Sequence, residues 1–135
     1  MKKKIAILGS TGSIGKTLIN IIKKDKFLKV KNLIITDKKS FYDLKNSKFN
    51  KRFKIYNDYK NLDKILKNKV DYVMNSISGL DGLKPTLEII KFTKKIAIAN
   101  KESIICGWSL IKKKLKYHKT EFIPIDSEHF SINEL

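Results

Sequence analysis

A chain of 135 residues, 41% of them hydrophobic, is sized for one domain and buries about two-thirds of its unfolded surface. No apolar run nears the ~20 residues that span a bilayer, and Met1-Lys2-Lys3-Lys4 leads straight into a short apolar strand, which is no signal peptide. The formal net charge of +17 raises a nucleic-acid partner, but Arg52 is the only arginine among 30 basic residues and the lysines are spread along the chain.

These totals point to a solvated basic surface, with neither a nucleic-acid nor a membrane partner. A non-catalytic basic binding module stays as an alternative. Cys106 is the single cysteine, so no internal disulfide forms, and a reducing, cytoplasmic location is expected.

The first strand is Ile5-Ala6-Ile7-Leu8, closed by Gly9-Ser10-Thr11-Gly12-Ser13-Ile14-Gly15. Leu18, Ile21 and Ile22 then keep helical spacing. Lys31–Asp37 reads as a buried strand ending in an acid. Phe41–Asn50 is polar with scattered aromatics, a candidate short helix. Phe53–Tyr56 alternates as a strand does. Leu62, Ile65 and Leu66 mark a helix that Asn57, Asp58 or Asn61 can cap.

Val70–Ser76 is the next strand, followed by Ser78-Gly79-Leu80-Asp81-Gly82. Pro85 suits a first helical turn, and Leu83, Leu87 and Ile90 give the apolar stripe. Lys95–Ala99 is a strand ended by Asn100-Lys101-Glu102-Ser103. Ile104, Trp108, Ile111 and Leu115 keep helical spacing, with Cys106 expected to pack within that helix. Glu121–Ile125 is the last strand, ended by Asp126-Ser127-Glu128-His129, and Phe130–Leu135 begins a further helix.

Strands alternating with helices predict an α/β fold: a Rossmann-like, doubly wound, mostly parallel sheet with helices on both faces. Right-handed crossovers bring every strand's C-terminal end to one edge, where open sheets bind ligands. Five clusters fall just past such ends: Gly9–Gly15, Asp37–Lys39, Ser76–Gly82, Asn100–Ser103 and Asp126–His129.

Each cluster has a ligand reading and a plainer one. In the first turn, glycines at 9 and 12 can take positive φ, and the following helix start offers unpaired N–H groups to a pyrophosphate. Gly15 lets the helix pack closely on its strand. The G-x-x-G-x-x-G spacing differs from the usual dinucleotide fingerprint, and a tight turn without ligand is the plainer reading.

Asp37 lies 22 residues past Gly15, where an acid takes a ribose hydroxyl, while Lys38 and Lys39 suit a 2′-phosphate. Lys101 can neutralise a phosphate or an oxyanion, and Glu102 can bind a ribose or orient Lys101. The plainer reading there is a helix start with an acid in its first turn. Asp126 and Glu128 around Ser127 can hold Mg²⁺ or Mn²⁺, serve as acid and base, or stand solvated.

Three of these motifs in order, Gly9–Gly15, Ala99-Asn-Lys-Glu-Ser103 and Pro124-Ile-Asp-Ser-Glu-His129, resemble the N-terminal part of the 1-deoxy-D-xylulose 5-phosphate reductoisomerase family. Ser76-Ile-Ser-Gly79 with Gly82, Pro85 and Thr86 also follows that pattern. The resemblance implies an oxidoreductase of non-mevalonate isoprenoid biosynthesis that uses NADPH and Mg²⁺ or Mn²⁺. It implies rearrangement of a phosphorylated sugar, 1-deoxy-D-xylulose 5-phosphate, and reduction to 2-C-methyl-D-erythritol 4-phosphate.

Carried over by motif, Thr11, Gly12, Ser13, Ile14, Asn100 and Glu102 hold the cofactor. Lys101, Ser127 and Glu128 meet substrate, Asp126 and Glu128 bind the metal, and Lys101 and Glu128 are catalytic. Residues 1–118 form the nucleotide-binding domain, residues 119–135 begin the catalytic one, and the family implies a homodimer. A semialdehyde dehydrogenase-like enzyme on the same scaffold is the competing enzyme reading. It would need Cys106 as nucleophile, with no histidine near it in sequence.

Two departures from the family pattern stand out. Lys31–Ser40 resembles the family's later strand rather than its second, so one βα unit is missing between about Lys24 and Val30. The 2′-phosphate site therefore does not carry over, and a sheet neighbour and a covering helix are expected to be lost. The chain also lacks the third metal carboxylate, the lid and the C-terminal helical domain, so an incomplete, inactive copy is expected.

Overall fold

The computed structural model describes residues 3–10, 12–24, 30–35, 53–56 and 61–125. Six strands among them form one parallel sheet: β1 (Lys3–Leu8), β2 (Val30–Ile35), β3 (Phe53–Tyr56), β4 (Tyr72–Asn75), β5 (Lys95–Ile98) and β6 (Glu121–Ile123). Their order is β3-β2-β1-β4-β5-β6, so the direction of winding reverses between β1 and β4. The helices are α1 (Ser13–Lys24), α2 (Leu62–Ile65), α3 (Leu83–Ile89) and α4 (Lys101–His118). The expected architecture is the observed one.

β1 lies between neighbours on both sides. Leu8 aligns with Ile35 of β2 and with Asn75 of β4. The βα unit expected to be missing leaves no gap in the sheet: the strand at Val30–Ile35 pairs directly with β1. The expected loss of β1's neighbour does not occur, because parallel pairing requires only an extended apolar strand in register.

Ala6, Ile7 and Leu8 are all fully buried, as a central strand covered on both faces requires. Ala6, Leu8, Val73, Ile96 and Ile98 pack with Ile89, Ile104, Ile111 and Leu115 of α3 and α4. Met74, one residue on from Val73, faces the other way and borders a groove with Leu18 and Ile21 of α1. Helices thus cover both faces.

The helical stripe of α4 is as expected, with Trp108 tilted against Phe122 at 5.3 Å between ring centres. Cys106 is exposed rather than packed. At 3.6 residues per turn it sits about 200° round the helix from Ile104, away from the buried stripe. Among the described residues of α1, Gly15 and Ile19 are buried, Leu18 is half-buried and Ile21 is exposed. Tyr72 sits at the core edge, where burial pushes its phenol pKa up. Pro85 is the third residue of α3, in the turn whose N–H groups have no acceptor within the helix. The candidate helix at Phe41–Asn50 lies outside the described residues.

Candidate functional site at the C-terminal edge of the sheet

The site begins where β1 runs out. Gly9 has φ +73°, and a Cβ there would meet the backbone N of Ile77 at 2.7 Å and the carbonyl carbon of Ser76 at 2.8 Å. Both the conformation and the close approach require glycine. Gly12 does not adopt positive φ, contrary to the sequence reading, because its role is to open α1. Its carbonyl accepts the first helical bond, from the N–H of Lys16 at 2.9 Å. Among the described residues beyond its chain neighbours, the atom nearest to the place a Gly12 Cβ would take is the Gly9 carbonyl oxygen, at 3.7 Å.

Gly15 is the reverse case. A Cβ there would run into the Gly9 carbonyl oxygen and lie 2.7 Å from Ser10 Cα, so the helix start is seated directly on the turn. The first turn of α1 carries no acidic side chain of its own, so no carboxylate of that turn compensates its N–H groups and positive dipole end. Ser10 Oγ is buried with no hydrogen-bond partner among the described residues. These features fit a pyrophosphate: donors at a helix start, room at Gly12 and no acid in the helix's first turn.

The β4 loop abuts this turn. Ser76 Oγ lies 2.7 Å from the Leu8 carbonyl oxygen and 2.9 Å from that of Gly9, bonding the loop to the end of β1. Past β5, Asn100 is the N-cap of α4, its Oδ1 accepting from the Ser103 N–H at 2.9 Å. Its Nδ2 donates to the Ile77 carbonyl at 2.5 Å. The buried Asn100 amide thus joins the β4 loop to α4. Lys101 and Glu102, the first two residues of that helix, are exposed at the same edge.

Of the residues predicted from sequence, Gly12, Ser13, Ile14, Asn100, Lys101 and Glu102 therefore lie at one edge, the first three past β1 beside the reversal and the others past β5, one strand beyond it. Thr11, Asp37, Asp126, Ser127 and Glu128 lie outside the described residues. No group of three His, Cys, Asp or Glu side chains that could hold a metal occurs among the described residues. Nor is any described helix long and apolar enough to cross a membrane.

Sequence reasoning passed over Asn75. The available signal was a polar residue at the core-facing position two beyond Val73.

Comparison with known proteins agrees with this geometry. The sequence model of 1-deoxy-D-xylulose 5-phosphate reductoisomerase matches residues 24–107. The protein of that name from Pelagibacter ubique is 54% identical, the alignment covering 96% of this chain and 40% of that one. The alignment runs over 154 positions against 135 residues here, so at least 19 positions have no counterpart, about the length of one βα unit.

A solved reductoisomerase in complex with NADPH, fosmidomycin and magnesium superimposes with a TM-score of 0.71 at 28% identity, over 94% of this chain and 37% of that one. The Zymomonas mobilis enzyme in complex with NADPH shares the fold with a TM-score of 0.74 at 24% identity, over 96% of this chain and 40% of that one. The chain spans about 40% of the length of the curated relatives it matches. On the extent of the family match, this chain belongs to the 1-deoxy-D-xylulose 5-phosphate reductoisomerase family.

Proposed function

We propose that the chain is the nucleotide-binding part of a reductoisomerase that converts 1-deoxy-D-xylulose 5-phosphate to 2-C-methyl-D-erythritol 4-phosphate with NADPH and Mg²⁺ or Mn²⁺. One observation carries the reading: the acid-free start of α1 opens beside the reversal in the sheet, and the Asn100-Lys101-Glu102 start of α4 is tied to the β4 loop on its other side. NADPH, when bound, supplies the hydride, and the divalent ion polarises the substrate oxygens.

The N–H groups of Ser13 and Ile14, with Thr11 and Gly12 before them, hold the pyrophosphate. Asn100 fixes the start of α4, and Glu102 faces the cofactor. Lys101 presents an ammonium to the substrate's negative charge. Asp126 and Glu128 are the metal ligands, and Ser127 and Glu128 bind substrate. We assign the protein to the cytoplasm as a homodimer, with a phosphorylated sugar as its small-molecule partner and no nucleic-acid role.

These 135 residues match only part of the relatives' length, and the family resemblance implies that the rest of the metal and substrate site lies outside the matched part. The chain alone is therefore expected to bind NADPH weakly and not to turn substrate over. The test is NADPH oxidation with 1-deoxy-D-xylulose 5-phosphate and Mn²⁺, beside a titration of NADPH alone. Saturable NADPH binding without oxidation is the expected result. Absence of any nucleotide binding overturns the reading. Turnover abolished by Asp126→Asn shows that the chain suffices for catalysis.

A further inference from the structure

We infer that Asn75 is a positioning residue of the nucleotide site, one that sets the Ile77–Gly79 loop where the nicotinamide half of the cofactor is held. The inference rests on the cofactor reading above.

Along β4 the core-facing positions are Val73 and Asn75, and Asn75 pairs in register with Leu8 on one side and Ile98 on the other. Both neighbours are fully buried and apolar, so a third aliphatic side chain would fit the pattern. An amide stands there instead, itself fully buried. Its Nδ2 donates to the Gly82 carbonyl at 3.1 Å and to Thr86 Oγ1, and its Oδ1 accepts from the Ile77 N–H at 3.1 Å. Thr86 Oγ1 in turn donates to the Gly82 carbonyl at 2.6 Å. Both N–H donors and the carbonyl oxygen of Asn75 are engaged.

All these bonds run forward, to the loop and the turn that follow β4. None runs to the neighbouring strands. Ile77 is gripped twice: at its N–H by Asn75 and at its C=O by Asn100. The two asparagines come from the ends of adjacent strands, so the loop is fixed relative to both β4 and the start of α4. Beyond Ile77 the chain reaches Gly79, at φ +71°, with no atom of the described residues beyond its chain neighbours within 4 Å of where its Cβ would stand.

A dinucleotide bound across the reversal places its adenosine half on the β1-β2-β3 side and its nicotinamide half on the β4-β5-β6 side. The clamped loop belongs to the second half. Holding it in one conformation before binding removes the cost of ordering it on binding.

The test uses two ligands, NADPH and ADP, which carries the adenosine and pyrophosphate without the nicotinamide half. Affinities are measured for the wild-type protein and Asn75→Ala, well below each protein's unfolding temperature. Asn75→Ala is expected to weaken NADPH about tenfold and leave ADP within about twofold. Thr86→Val, which keeps the volume and removes one of the amide's partners, is the second variant. It is expected to weaken NADPH alone by about threefold, should the alanine variant not fold.

A purely structural role would weaken both ligands alike, and that result overturns the proposal. Unchanged NADPH affinity in both variants overturns it too, while leaving the cofactor reading intact. Wild-type protein that binds neither ligand overturns the reading and this proposal together.

Discussion

The two edges of this sheet are made from the same strands and are chemically opposite. At the N-terminal edge the polar groups satisfy one another. Asp71 accepts from the Lys4 backbone N–H at 2.9 Å and from Lys94 Nζ at 2.9 Å. Lys95 pairs with Glu121 at 3.3 Å across β5 and β6. The buried Thr120 hydroxyl lies between the carbonyl oxygens of Ile90 and Thr93.

At the C-terminal edge the backbone is drawn tightly together by Ser76, Asn75 and Asn100, yet α1 starts without an acid, and Lys101 and Glu102 make no ion pair among the described residues. A strand's start needs only to be closed off. A strand's end in a doubly wound sheet is closed beneath and left reactive above. The difference separates residues that hold the fold from residues reserved for a ligand.

The three glycines of the first turn test that separation inside seven residues. Gly15→Ala drives a Cβ into the backbone of Gly9 and Ser10, where no flexible side chain can yield. Overpacking of this kind costs about 1–3 kcal/mol, and backbone partners put it at the upper end. Thermal and urea unfolding of the variant should show the largest loss of stability predicted here. Stability within 0.5 kcal/mol of wild type, about the effect of an ordinary surface substitution, would mean that α1 does not sit on the turn.

Gly12→Ala sharpens the contrast, because its Cβ has room within the chain. Only the small preference of helix starts for glycine over alanine is lost, under about 1 kcal/mol. The added methyl group instead stands where the pyrophosphate approaches. NADPH affinity should fall by about tenfold or more, read by titration beside an unfolding curve. A variant that keeps its affinity would assign all three glycines to folding alone.

Legibility from sequence followed the same division. Local periodicity revealed the α4 stripe, because Ile104, Ile111 and Leu115 face one way whatever surrounds the helix. The five loop clusters were legible because parallel topology sends every strand end to one side. Partner choice across long separations was not.

The strand beside β1 could not be foreseen, since Val30–Ile35 is apolar enough to pair wherever the chain delivers it. Asn75 was missed because its meaning depends on Gly82 and Thr86, which return to it only after the chain turns. Cys106 departs from its expected packing because one residue's offset on a helix decides exposure, and only the true neighbours phase the stripe.

The smallest expected effect lies at the closed edge. The Lys4 N–H and then the Lys94 ammonium hold the Asp71 carboxyl below its ordinary value of 3.8. The unfolded chain therefore takes up this proton at a higher pH than the folded one does. The contribution is fully present above the unfolded value, declines as pH falls through it and is gone below the folded value.

The pair is largely solvent-exposed, with 63% of the Lys94 side chain and 33% of the Asp71 side chain accessible, so the stabilisation is under about 1 kcal/mol. His118 slopes the same way. Burial first, then Lys114, Lys69 and Lys91, hold its imidazole below 6.5, so its effect falls in a higher pH range than that of Asp71. Asp71→Asn should remove the slope near and below pH 4, leave the His118 range untouched, and leave nucleotide affinity unchanged. Unfolding free energies measured from pH 3 to 7 for both proteins check this. A change in NADPH affinity in that variant would show that the two edges are coupled through the sheet and are not the independent regions described.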